Sequence, residues 1–380
     1  MKTNHQQLRM ALFAVTVLVA GTAAQAGVVS YIAVDLHPSG FTESVAVGIS
    51  GTQQVGYGYV SAAGDTSHAL LWNGSAASYV DLDPSGFDFS YAQGTSGTQQ
   101  VGYGSGSATG GEDHALLWNG SAASYVDLNP SGFDHSYGSG TSGTQQVGWG
   151  YGSATGGNYL NYHALLWNGS TASFIDLNPS GFTNSSANGT NGTQQVGSGS
   201  GSPTGGTNHA LLWNGSAASY VDLNPSGFVW SNAVGTSGTQ QVGLGRDPGT
   251  GFEHALLWSG SAASYVDLNP SGFDNSEALG TSGTQQVGYG RGPATGDYYH
   301  ALLWNGSADS FVDLHQFLSS DFISSQVFGI AGNGNIVGCA RDSSGNAHAI
   351  LWQVPEPATL LLLGLGAVIL RRNAHKAGRL

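Results

Sequence analysis

The string His-Ala-(Leu/Ile)-Leu-Trp constrains this chain more than any other feature, because it returns seven times. Its histidines are His68, His114, His163, His209, His254, His300 and His348, at intervals of 46, 49, 46, 45, 46 and 48 residues. A second string, (Val/Ile)-Asp-Leu, also occurs seven times, with its aspartate at Asp35, Asp81, Asp127, Asp176, Asp222, Asp267 and Asp313. Between them stands Gly-Thr-Gln-Gln-Val-Gly, intact in six copies and reduced in the last to Gly334-Asn335-Ile336-Val337-Gly338. A period near 46 belongs to propeller blades or to helical arrays. With 61 glycines, abundant Ser, Thr and Asn, and no apolar stripe of helical period, helices are excluded.

Each period has room for four short strands. In the sixth copy these are expected at 276–280, 285–289, 300–304 and 310–314. A Ser-Gly-Thr turn joins the first pair, and Asn305-Gly306-Ser307 joins the last, Asn-Gly being a strong hairpin signal. The sequon this creates is explained by the turn rather than by glycosylation. The repeat is also offset. Residues 31–36 form a fourth-strand motif with nothing before it, and 348–352 form a third-strand motif with nothing after it. Pairing the two closes a ring and removes a bare sheet edge, whereas an open solenoid would need polar capping repeats. The expected fold is therefore all-β, a seven-bladed β-propeller with N- and C-terminal strands closing one blade.

Over residues 31–352 the repeat resembles the HAF-type extracellular repeat, with His-Ala-Leu in place of His-Ala-Phe. The resemblance rests on the Trp, the following Asp-Leu, the Ser-x-Ala-x-Gly strand and the Val-Gly strand. It implies a repeat type and no particular activity. Where that family has Asp-Leu-Gly, this chain has Asp-Leu-Asn-Pro-Ser-Gly, so a different exit loop is expected.

Three segments follow: 1–26, 27–353 and 354–380. The first has a basic start (Lys2, Arg9), an apolar run over 10–20 and the small-residue string Ala24-Gln25-Ala26, the pattern of a secretory signal cleaved after Ala26. The last has Pro355-Glu356-Pro357, an apolar run over 358–370 and then Arg371-Arg372. That run spans about 20 Å as a helix, short of the ~30 Å hydrocarbon core, and the arginines would stay cytoplasmic. The tail resembles the PEP-CTERM sorting signal, which implies a Sec-type export route, transient insertion in the inner membrane and processing by an exosortase. An extracellular or cell-surface destination follows.

Between the two ends there are three basic and 22 acidic side chains, a formal charge of −19, which repels phosphate backbones and makes nucleic acid an implausible partner. Cys339, the only cysteine, follows Ile336-Val337-Gly338 and is expected to be a buried small hydrophobe. The seven repeat tryptophans are expected in the core. The histidines, spread one per blade, are expected to bond between blades rather than to hold a metal, and the strand-four aspartates to cap turns. Asp81-Leu82-Asp83-Pro84-Ser85-Gly86 spaces its oxygens like the start of a calcium loop, but lacks the carboxylate that completes one. No nucleophile elbow, zinc motif or phosphate loop occurs, so no catalytic residue, cofactor or metal is assigned.

The copies differ most over 57–67, 105–113, 149–162, 198–208, 244–253 and 289–299, the links between second and third strands. Strand parity puts these on one side of the disc with the exit loops, leaving the uniform Ser-Gly-Thr and Asn-Gly turns on the other. Aromatic residues on the diverse side, Trp149, Tyr151, Tyr159, Tyr162, Phe252, Tyr298 and Tyr299, suit a neutral carbohydrate. The expected function is non-catalytic binding of exopolysaccharide or a protein at the cell surface. A secreted propeller hydrolase or lyase, or a spacer without a ligand, are the alternatives.

Overall fold

Two turns punctuate every repeat, and both depend on glycine. At the first, Gly51 and its counterparts Gly97, Gly143, Gly192, Gly238 and Gly283 hold φ between +60° and +96°, a region that side chains with a Cβ avoid. The strands on either side pair antiparallel. The computed structural model describes residues 30–60 and 66–355, and these form seven four-stranded sheets set in a ring, a seven-bladed β-propeller. Blade 3 is typical, with strands His135–Thr141, Gln146–Tyr151, His163–Trp167 and Ile175–Asp176 from the axis outwards.

The fourth strand is shorter than expected. In blade 6 it is only Val312–Asp313, and Ser310 lies in a 3-10 turn, Ala308–Ser310. The Asn-Gly link is accordingly wider than a two-residue hairpin, with only Gly306 at positive φ. Ser310 is the cause: its Oγ accepts from Asn305 N at 2.8 Å and donates to Ser307 O at 2.6 Å, which holds the chain in the turn.

Glycine also sets how closely the blades approach. Gly94, Gly140, Gly280 and Gly329 occupy one position on the inner strands of blades 2, 3, 6 and 7, each just past a β-bulge. A Cβ on Gly94 would lie 3.2 Å from Gly140 Cα, and one on Gly280 would lie 3.3 Å from Gly329 Cα. One on Gly329 would lie 3.3 Å from Val47 O, back in blade 1. The inner strands therefore meet backbone to backbone around a narrow axial opening of about 190 Å³. Beside it, paired glutamines bridge blades: Gln100 Nε2 donates to Gln53 Oε1 at 2.9 Å, while Gln100 Oε1 accepts from Gly120 N.

All seven third-strand tryptophans are fully buried, as expected. Trp213 of blade 4 packs against Val147, Leu166 and Leu177 of blade 3, so the core is a series of interblade layers rather than one centre. Burying each indole contributes on the order of 2–3 kcal/mol. Cys339 is buried too, and burial pushes its thiol up to about 11, which keeps it protonated. The exit loops end in a phenylalanine that clasps the next blade's rim; the Phe133 and Phe174 rings meet edge-on at 5.9 Å.

The ends close blade 7. Strand Ile32–Asp35 pairs antiparallel with Ala347–Gln353, in the register Ile32↔Gln353 to Asp35↔Ile350. Leu36 then joins Leu351 and Val337 of that blade against Trp72 and Leu70 of blade 1. Both termini thus build one interblade layer.

Candidate functional site

The side of the disc that carries the exit loops is organised by the repeated His-Asp pair. Each histidine bonds through Nδ1 to the strand-four aspartate of its own blade, from His114–Asp127 at 2.7 Å to His348–Asp35 at 2.9 Å. The pairing is within a blade, not between blades as expected, because third and fourth strands are neighbours and the two side chains stand on one edge. The other aspartate oxygen caps the exit turn, Asp127 Oδ1 accepting from Asn129 N at 2.8 Å. The interblade link is a serine. Ser185 Oγ of blade 4 accepts from Ala164 N of blade 3 at 3.0 Å and donates to Asn178 Oδ1 at 2.7 Å. The calcium-like loop is spent in the same way, Asp83 Oδ1 accepting from Ser90 Oγ and Asp81 Oδ1 from Asp83 N. Among the described residues no group of three or more His, Cys, Asp or Glu side chains is placed to hold a metal ion.

Directly after that serine, each inner strand presents one residue opposite a partner on the second strand. In blades 2 and 3 these pairs are Tyr91↔Tyr103 and Tyr137↔Trp149. They stack, with centroids 5.1 and 4.2 Å apart, and edge-on contacts of 4.8 Å (Tyr57–Tyr91) and 5.0 Å (Tyr103–Tyr137) join them across blades. An aromatic ladder therefore runs from blade 1 to Trp149. At the next rung it stops: blade 4 has Ser186↔Ser198 and blade 5 has Asn232↔Leu244.

Where the ladder stops, a cleft of about 440 Å³ opens, lined by Tyr137, Trp149, Tyr151, Tyr159, Tyr162 and Ser186. Four of the seven candidate aromatics meet here. Trp149 and Tyr151 lie on the second strand of blade 3 rather than in the link that follows it, since strand pairing continues to His135↔Tyr151. Tyr159 and Tyr162 come from that link, which follows a 3-10 turn, Ser153–Thr155, shared with blades 2, 4 and 6. The 49-residue interval places extra chain here, and Tyr159 stands 69% exposed on it. Behind the cleft, Tyr137 donates to Asp113 Oδ2 at 2.6 Å, and burial with that carboxylate raises its pKa. Tyr151 stacks on His135 at 4.5 Å, and His135 Nε2 lies 2.8 Å from Glu112 Oε2. The rings are thus fixed from behind by polar contacts, while the cleft itself offers ring faces, phenol groups and a serine.

Tyr298 and Tyr299 are not part of it. They stand on blade 6, Tyr298 exposed and Tyr299 edge-on to Tyr289 with the Arg291 guanidinium 5.1 Å from its centroid. Phe252, on the link of blade 5, is likewise apart and exposed. On the same blade as Tyr298, burial raises the Glu277 carboxyl above its ordinary range. Pro355 is buried, whereas Ala24, Ala26, Glu356, Pro357, Arg371 and Arg372 lie outside the described residues. Within the described residues no helix is long and apolar enough to cross a membrane. Tyr137 and Ser186 were missed from sequence; comparing the residues that follow the repeated inner-strand serine, copy by copy, finds both.

The PEP-CTERM protein-sorting motif matches residues 353–373. The protein is thus a β-propeller carrying a recognition signal for export and exosortase processing. Comparison with curated protein sequences returns no match. Among solved structures, the chain is similar to the β-propeller domain of the Trilobed protease from Pyrococcus furiosus, at 8% identity and a TM-score of 0.54, over 83% of this chain and 95% of that one. That domain is described as having an open velcro topology, unlike the closed blade 7 seen here. A puromycin hydrolase complexed with PGG is similar at 10% identity and a TM-score of 0.51, over 83% of this chain and 54% of that one. A prolyl endopeptidase gives 10% and 0.53, over 83% and 51%. The chain spans about half the length of these two enzymes, and the likeness is one of fold.

Proposed function

We propose that this is a non-catalytic protein of the cell surface or extracellular matrix that binds neutral polysaccharide in the cleft between blades 3 and 4. The observation that carries the reading is the cleft itself, five aromatic side chains around a gap that exists because Ser186 stands where Tyr91 and Tyr137 stand in the preceding blades. Aromatic faces offer apolar area at low entropic cost to the C–H face of a sugar, and phenols and serine serve its hydroxyls. The body's formal charge of −19 disfavours anionic polymers. The repeat is read as HAF-type, with the tail inserting transiently in the inner membrane until an exosortase acts on it, after Sec-type export.

Retention of the full chain on cellulose, mannan, dextran and xylan, with alginate as the acidic control, tests this. At least one neutral polymer should retain it, and Trp149→Ala or Tyr151→Ala should weaken retention about tenfold, equivalent to ~1.4 kcal/mol. Retention by none, or by alginate alone, contradicts the reading. A polysaccharide hydrolase is the second reading, favoured only by the raised Glu277 carboxyl; release of reducing ends that Glu277→Gln abolishes would establish it.

A further inference from the structure

A second cleft, of about 380 Å³, lies between blades 4 and 5, lined by Thr207, Asn208 and Trp230. It shares one wall position with the first, but its other wall is the residue before the inner-strand serine, Trp230, where the first has the residue after it, Ser186. Tyr162 O accepts from Ser185 N at 2.8 Å, and Asn208 O accepts from Ser231 N at 3.0 Å, so Tyr162 and Asn208 are equivalent walls on successive blades. Both clefts open where the aromatic ladder has lapsed, one at Ser186 and the next past Ser198, whose Oγ accepts from Asn208 Nδ2 at 3.0 Å. The tryptophans divide accordingly. Seven of the nine are fully buried in third strands, and the remaining two, Trp149 and Trp230, stand half-buried at the two clefts.

Neighbouring sheets pack about 10 Å apart, so one blade separates the clefts. The rim of that blade is small and polar: Asn184 pairs with Ser200, whose Oγ donates to Asn184 Oδ1 at 2.9 Å. We propose that the two clefts are the ends of one site, in which an extended neutral polysaccharide chain lies across the rim of blade 4. Trp230 is the second stacking anchor, and Asn184, Ser200 and Asn208 meet hydroxyls between the anchors. This rests on the polysaccharide reading above and adds to it a direction, a minimum ligand length and a residue. A basic protein drawn by the negative body is the competing occupant, but it would need carboxylates, and neither cleft is lined by one.

The test is calorimetric titration of the full chain with oligosaccharides, from disaccharide to octasaccharide, cut from whichever of the four neutral polymers retains it, with polylysine as the control. The disaccharide should occupy two sites per protein and the octasaccharide one, the longer ligand binding at least tenfold more tightly. Trp230→Ala should weaken the octasaccharide about tenfold and reduce the disaccharide stoichiometry to one, with Trp230→Phe restoring most of both and melting temperatures unchanged. Affinity that stops rising at the disaccharide, or an octasaccharide indifferent to Trp230→Ala, overturns the two-cleft site while leaving the first cleft standing. Loss of the Trp149 dependence, or polylysine binding with no sugar response, overturns the polysaccharide reading and this inference with it.

Discussion

Ser186 decides more about this molecule than its size suggests. Its counterparts Tyr91 and Tyr137 continue a chain of ring contacts, and the serine ends it, so one side chain converts a packed interblade layer into a cleft. Ser186→Tyr should supply the missing rung. The expected outcome is an unchanged or higher melting temperature with polysaccharide retention reduced at least tenfold; retained binding on a filled cleft would show that the site lies elsewhere. The candidates Trp149, Tyr151, Tyr159 and Tyr162 were legible in the sequence because aromatic residues stand out against a repeat rich in Gly, Ser and Thr. Tyr298 and Tyr299 stood out equally, yet they fall on another blade. Sequence shows which blade a ring belongs to but not whether the neighbouring gap is filled, and that depends on a residue from the next repeat.

At the scale of strands and turns, the repeat marked the third strand to the residue, His300–Trp304, because a continuous buried apolar run and a closing Asn-Gly bound it. It overstated the fourth strand, since Ser310 competes for the backbone and holds a 3-10 turn instead. The bulge and the inner-strand glycine were visible as residues and silent as geometry. A Cβ on Gly189 would come within 2.6 Å of Val234 O in the next blade. Gly189→Ala is therefore expected to destabilise by about 1–3 kcal/mol, read as a lower denaturant midpoint, because the backbone it meets cannot move aside. The two exit loops flanking blade 7 differ from the others in carrying histidine where four have asparagine. His37 stacks on His348 at 4.4 Å, with Asp35 nearby, and His315 on His300 at 4.2 Å, with Asp313 nearby. Burial, and then the neighbouring histidine, lowers the pKa of both. With the folded value below the unfolded one, near 6.5, their contribution is present above that value and lost as pH falls through the lowered folded pKa. His37→Asn with His315→Asn should leave stability near neutral pH within ~1 kcal/mol and flatten its fall on the acid side of about pH 6.5. An unchanged acid limb would contradict this assignment.

Over the whole molecule, the offset of the repeat was the most informative property of the sequence, because it places a partnerless strand at each end of the ring. The register Ile32↔Gln353 to Asp35↔Ile350 and the layer that Leu36 shares with Trp72 show how each end completes the other. Everything argued about faces depends on this. A closed disc separates one side built of uniform turns from another carrying clefts, and keeps blades 3, 4 and 5 in fixed sequence around the axis. The sorting motif matched at 353–373 begins where the last strand, Ala347–Gln353, ends, so export signal and closing strand adjoin in the chain.

Cross-strand partners lie within disulfide range, which makes the closure directly measurable. In a chain carrying Ile32→Cys and Gln353→Cys, the two engineered thiols should oxidise to an intramolecular disulfide and raise the melting temperature, with buried Cys339 remaining free. Thiols at 32 and 353 that stay reduced under oxidising conditions, or that link only between molecules, would contradict the closed ring.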